Sequence, residues 1–100
     1  MPPSSDDLER ALIALGRAIR EARKEKKLTQ EELALRTDLH ETYIGVIERG
    51  RRNPTWGVVR RISLALGVPL PELARRAEEF ERGERSESGV ASSDVDQPVR

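Results

Sequence analysis

The run HETYIGVIERGRRN, from His40 to Asn53, gathers the densest set of groups able to do recognition chemistry. Read as a short helix followed by a loop, it commits Ile44 and Ile47 to one face. Glu41, Thr42, Gly45 and Val46 then lie on the other, with Tyr43 and Arg49 beside them. The Thr42 hydroxyl donates or accepts, the Glu41 carboxylate accepts, the Val46 methyls offer an apolar contact, and Gly45 leaves room for close backbone approach. Arg49, Arg51, Arg52 and Asn53 follow, and a guanidinium fork matches the paired oxygens of a phosphate. Such groups suit the edges of nucleic-acid bases: Thr42 to a base edge, Val46 to a thymine methyl, Glu41 to cytosine N4. The bland alternative is a solvated helix face beside a basic loop kept for solubility. The face carries no Lys, Arg, Gln or Asn before Arg49, so strong bidentate base contacts are missing and duplex shape becomes a second source of specificity.

Other chemistries are poorly supplied. The chain has no cysteine, which excludes disulfides, a thiolate zinc site and a cysteine nucleophile. His40 is the sole histidine, too few for a multi-histidine metal site or a Ser-His-Asp set shared among several roles. Neither a Gly-rich phosphate loop nor HExxH occurs, and the adjacent Glu31 and Glu32 diverge on a helix, where they favour the dipole as first-turn acids. An enzyme is therefore not expected, nor a cofactor or metal. The longest apolar run, Ala11 to Leu15, falls far short of the roughly 20 residues of a membrane span, and no signal-peptide pattern appears. A soluble cytoplasmic protein without membrane contact is the expectation.

The elements that position the run are all helical. With 36% hydrophobic and 36% charged residues in a 100-residue chain, there is material for one small core, and the apolar period is helical throughout. An all-α bundle of five short helices is expected. The first starts after Asp6, capped by its carboxylate with Glu9 completing the box, and turns Leu8, Leu12, Leu15, Ile19 and Ala22 to the core. Its basic end, Arg23 to Lys27, suits the negative pole of the helix dipole. Thr29 and Glu32 form a capping box for the second helix, and Leu28 staples to Leu33. That helix ends about Thr37, before Asp38, which tolerates a left-handed turn. The third runs from about Glu41 to Arg49 and stops at Gly50. The fourth, capped by Thr55, carries Trp56, Val59, Ile62, Ala65 and Leu66 inward until Gly67. The fifth has Pro71 at its first position and reaches about Phe80.

Net charge is zero, but unevenly spread. Leu15 to Ala77 holds 14 Lys/Arg against 8 Asp/Glu, and the flanks hold 4 against 10. A basic middle is the electrostatic footprint of a nucleic-acid binder, although charge alone also fits a solvated surface. Residues 1–6 read as a loose N-terminal segment, 7–82 as the helical domain, and 83–100 as a disordered acidic tail.

Two short helices joined by a three-residue turn, with small Ala34 at the crossing and Leu39, Ile44 and Ile47 holding the pair, make a helix-turn-helix arrangement. The run TQEELALRTDLHETYIGVIERGRRNPTW, preceded by IREARKEKKL and followed by RRISLALGVPLPEL, resembles the Xre/Cro/C1 family of bacterial and phage repressors, over roughly Leu15 to Leu73. LHETYIGVIERGRRNP is most similar to the small controller proteins of restriction-modification systems. The resemblance implies a lambda-repressor-like fold and a partly buried ion pair between Arg23 and Glu48. It also implies phosphate binding by Gln30 with Thr29, and an apolar core role for Trp56. Two positions depart from it: Asp38 stands where glycine is usual and Gly45 where serine is common. His40 either caps the third helix or touches a phosphate, and Arg51, Arg52 and Asn53 are assigned to the DNA backbone.

One reading helix gives modest affinity, so a homodimer on paired half-sites is expected. Its surface is assigned to Leu64, Val68, Leu70 and Leu73 with the fifth helix, and Leu8 to Ala14 is a second candidate surface. The expected function is a DNA-binding transcriptional regulator acting on a palindromic operator in double-stranded DNA. The controller resemblance adds autoregulation and a contact with RNA polymerase. The alternative is an antitoxin or other protein-interaction module on the same fold.

Overall fold

The computed structural model describes residues 1–86, so most of the expected acidic tail, 87–100, lies outside the described residues. Among the described residues there are five helices and no strand: α1 Ser5–Glu25, α2 Gln30–Thr37, α3 Glu41–Glu48, α4 Trp56–Leu66 and α5 Leu70–Glu81. None is long and apolar enough to cross a membrane.

Helix α1 begins earlier than the sequence suggests. The Ser4 hydroxyl accepts from the Asp7 amide at 3.1 Å while the Asp7 carboxylate accepts from the Ser4 amide at 3.0 Å. This box supersedes the expected one at Asp6 and Glu9, and Asp6 becomes a first-turn acid. Its buried face is also rotated. Ala14, Ala18, Ile19 and Ala22 are buried, Leu12 and Leu15 only half-buried, and Leu8 is exposed, because the first turns of α1 extend past the elements that cover the rest. Gly16 is a point of close approach. A Cβ there would lie 2.5 Å from the carbonyl oxygens of both Ile47 and Glu48, so α1 rests directly on the C-terminal turn of α3.

Thr29 and Glu32 form the expected box at 2.9 and 3.0 Å, and Asp38 ends α2 in the left-handed region with φ 59°. The Leu39 amide then donates to the Ala34 carbonyl, which closes the turn into α3. Arg61 of α4 donates to the Thr37 carbonyl at 3.0 Å and so satisfies an otherwise open end of α2. Gly50, at φ 74°, stops α3, with the Arg51 amide donating back to the Val46 carbonyl.

Helix α4 is capped by Thr55 as expected and turns Ile62, Ser63 and Leu66 into the core. Trp56 does not join them. It is 71% exposed: with Gly57 it forms the open first turn of α4, ahead of the part of the helix that is packed. Helix α5 starts at Leu70, with Pro71 second rather than first, and packs extensively on α1 through Leu73, Arg76 and Phe80. Beyond it, Arg85 is held by Glu21 and Glu79, so residues just past Gly83 are tied to the fold rather than loose.

Candidate nucleic-acid interface

The centre of the site is a buried ion pair. Arg23 Nε donates to Glu48 Oε2 at 2.7 Å and Nη2 to Oε1 at 2.8 Å, a fork-to-fork pair with both side chains at most 2% exposed. Arg23 Nη1 also donates to the Leu28 carbonyl, tying the α1–α2 turn to the same group. Glu48 accepts a third bond at 3.0 Å from Gln30 Nε2, on the first residue of α2. One carboxylate on α3 therefore fixes α1, the entry to α2, and the side chain of Gln30.

Around this pair, Glu41, Thr42 and Arg49 are exposed, and Tyr43 and Val46 are half-buried. His40 caps α3, its Nδ1 accepting from the Thr42 amide at 3.1 Å. An accepting Nδ1 places the neutral imidazole proton on Nε2, which leaves one outward donor. Gly45 departs from its expected open position. It is buried, because the Gln30 and Arg49 side chains lie over it: a Cβ would sit 3.3 Å from Arg49 Nη1 and 3.4 Å from Gln30 Oε1. The missing side chain seats these two polar groups beside one another instead of opening the backbone to a ligand.

Arg51, Arg52 and Asn53 are exposed in the loop before α4. The Arg52 guanidinium lies 5.7 Å from the Tyr43 ring centroid, a cation–π contact that orders the loop against α3. Neither Arg49 nor Arg51 meets a carboxylate among the described residues. Both open instead into a cleft bordered by Arg17 and Arg20 of α1. Those two residues were not singled out from the sequence. The basic spacing Arg17, Arg20, Arg23 was visible there, but not that Gly16 brings α1 onto α3.

The expected dimer residues divide. Leu64 is 63% exposed and Leu70 half-buried, whereas Val68 and Leu73 belong to the core and present little surface to a partner. The apolar surface actually on offer is a groove of about 330 Å³ lined by Leu15, Trp56, Val59, Leu70, Pro71 and Ala74, with Leu73 at its floor.

A helix-turn-helix family model matches residues 19–73, which takes in the Arg23–Glu48 pair and the whole of α2, α3 and α4. The chain belongs to that Xre-like helix-turn-helix family. It is 44% identical over 62 residues to the control protein C.BamHI of Bacillus amyloliquefaciens, covering 61% of this chain and 76% of that one. It is 43% identical over 63 residues to an uncharacterized HTH-type transcriptional regulator of Sinorhizobium fredii, covering 63% and 82%. Among solved structures, the restriction-modification controller protein C.AhdI of Aeromonas hydrophila superposes with a TM-score of 0.61 at 37% identity, covering 62% of this chain and 94% of that one. The clp gene regulator ClgR of Corynebacterium glutamicum gives 0.72 at 27%, covering 74% and 79%.

Proposed function

We propose that the chain is a DNA-binding transcriptional regulator that reads an inverted-repeat operator as a homodimer. The observation that carries this reading is the locking of α2 onto α3 by Glu48. It holds the start of α2, with its first-turn amides, against α3, whose Glu41 and Thr42 are exposed. In a major groove, Glu41, Thr42, Tyr43 and Val46 meet base edges. Thr29, Gln30 and the His40 Nε2 take one phosphate run, and Arg51, Arg52 and Asn53 the opposite one. Gly45 contributes by seating Gln30 and Arg49.

The second copy docks on the groove around Trp56 and Leu70. An indole 71% exposed beside a lining of aliphatic side chains is a surface that water disfavours, and paired half-sites lie about 34 Å apart on one face of a duplex. Dimerisation and binding are then linked by mass action, so the protein's own concentration sets occupancy. The similarity to named control proteins supports a regulatory role; we place the operator next to a promoter, where the bound dimer meets RNA polymerase.

Selection of bound sequences from a random duplex pool, at two salt concentrations, tests the reading. An enriched inverted repeat with binding weakened by salt is expected, and Arg51→Glu with Arg52→Glu should abolish it. No enrichment at either salt overturns the proposal.

A further inference from the structure

The first two turns of α3 carry no fork of donors, yet the fold brings one back over them. Glu41, Thr42, Gly45 and Arg49 share one stripe of α3 and its cap, at i, i+1, i+4 and i+8. Gly45 leaves a gap in that stripe, and a Cβ there would meet Arg49 Nη1 at 3.3 Å and Gln30 Oε1 at 3.4 Å. We propose that Arg49, laid into this gap beside the Gln30 amide oxygen, is a specificity-determining residue that reads a guanine in each half-site. This rests on the function proposed above and names a base that the site selects.

Three observations support it. The Arg49 side chain runs back along the helix, so its guanidinium lies about a turn nearer Glu41 and Thr42 than its own backbone does. Arg49 is exposed, and among the described residues no carboxylate engages it, whereas glutamates hold Arg23, Arg76 and Arg85. The Gln30 amide also has a fixed sense. The Glu48 carboxylate can only accept, so Nε2 donates to it at 3.0 Å and Oε1 is left on the side of Gly45.

Oxygen at that place is an acceptor that steadies one N–H of the guanidinium. The remaining donors form a planar pair, which matches O6 and N7 of guanine in the major groove. Adenine and cytosine each place an amino donor on that edge, and thymine a single oxygen beside its methyl, so the pair discriminates against all three. Gly45 is then a positioning residue: a side chain there fills the gap and turns the fork aside.

The experiment selects bound sequences from a random duplex pool with the full chain, with Arg49→Ala and with Gly45→Val, and checks each fold by its melting transition. One guanine should be required in the parent's half-site, and replacing it should lower affinity about 5- to 150-fold, the range for a bidentate base contact. Substitution by 7-deazaguanine, which keeps the base pair but lacks the N7 acceptor, should lower it too. Both variants should accept any base at that position and keep the parent's preferences elsewhere. A phosphate contact gives a different result: Arg49→Ala then weakens all sequences alike, reduces the salt slope by about 0.9 per contact and keeps the guanine, which overturns the inference. A parent half-site with no required guanine, or a guanine still required by folded Gly45→Val, overturns it as well. Should Gly45→Val fail to fold, Arg49→Ala decides, since its side chain is exposed and holds no other element. All these results leave the DNA-binding reading in place. Failure of the parent to select any duplex overturns both.

Discussion

Glu48→Ala is the most demanding test of the structure, because it removes one group on which three elements depend. The variant leaves the Arg23 guanidinium, 1% exposed, without its two carboxylate bonds at 2.7 and 2.8 Å, and frees Gln30 from its anchor. Removing one partner of a buried pair costs about 3–5 kcal/mol, since the remaining charge stays desolvated. Folded domains are stable by only about 5–15 kcal/mol, so this is a large share of the total. At about 4–8 °C per kcal/mol for a domain of this size, the melting midpoint should fall by at least about 12 °C. Urea unfolding with an unchanged m-value would assign the loss to the native state. The double variant Arg23→Met with Glu48→Leu separates charge from shape. It removes both charges at similar volume and should recover most of the lost stability, because desolvation of the pair offsets much of its attraction. A loss below about 1 kcal/mol in Glu48→Ala, the range of exposed ion pairs, would refute the account of this carboxylate as the lock between α1, α2 and α3.

Three further outcomes follow from the geometry. Trp56→Ala should leave the monomer's stability within about 0.5–1 kcal/mol, as for surface substitutions, yet shift the sedimentation equilibrium towards monomer; a dimer of unchanged strength would move the interface elsewhere. Gly16→Ala drives a methyl into two backbone carbonyls and should cost at least about 1–3 kcal/mol by urea unfolding, whereas Gly57→Ala, whose added methyl meets only the Thr55 hydroxyl at 4.0 Å, should cost nothing. Acid titration of stability should report the α5 carboxylates. Hydrogen bonds from Arg75, then Arg76, lower the Glu72 pKa, and one from Arg85, then Arg75, lowers that of Glu79. Their contribution is therefore complete above the unfolded glutamate pKa of about 4.3 and is lost as pH falls through the lower folded values. Glu72→Gln with Glu79→Gln should flatten that part of the profile; an unchanged profile would exclude these carboxylates as its source.

Local chemistry was legible in the sequence wherever a few neighbouring residues decide the outcome. The Thr29–Glu32 box needs only four residues, and the left-handed turn at Asp38 only one. Periodicity located the apolar faces but could not say what covers them, because core and interface use the same side chains. Val68 and Leu73 therefore exchange roles with Trp56: the first two are core and the indole faces outward. Gly45 shows the same limit on the polar side. Its angle on α3 points towards the reading face, but side chains from α2 and from the next turn cover it, and helical geometry alone does not contain that contact. The Arg23–Glu48 pair, 25 residues apart in the chain, was reachable only through the family resemblance.

The buried pair makes stability and recognition difficult to separate by mutation. Glu48 holds Gln30 in place and also accepts from Arg23, so a substitution at Glu48 weakens the fold and releases a proposed phosphate-binding side chain together. Lost DNA binding in such a variant is consequently ambiguous on its own. The exposed groups do not share this difficulty. Thr42 and Arg51 reach outward, and their removal leaves the bonds around Glu48 intact. Binding losses at those positions without a change in melting temperature are the ones that identify contacts with the duplex. This division has a physical basis: burial makes the Arg23–Glu48 geometry rigid, while water around Thr42 and Arg51 keeps their replacement inexpensive for the folded state.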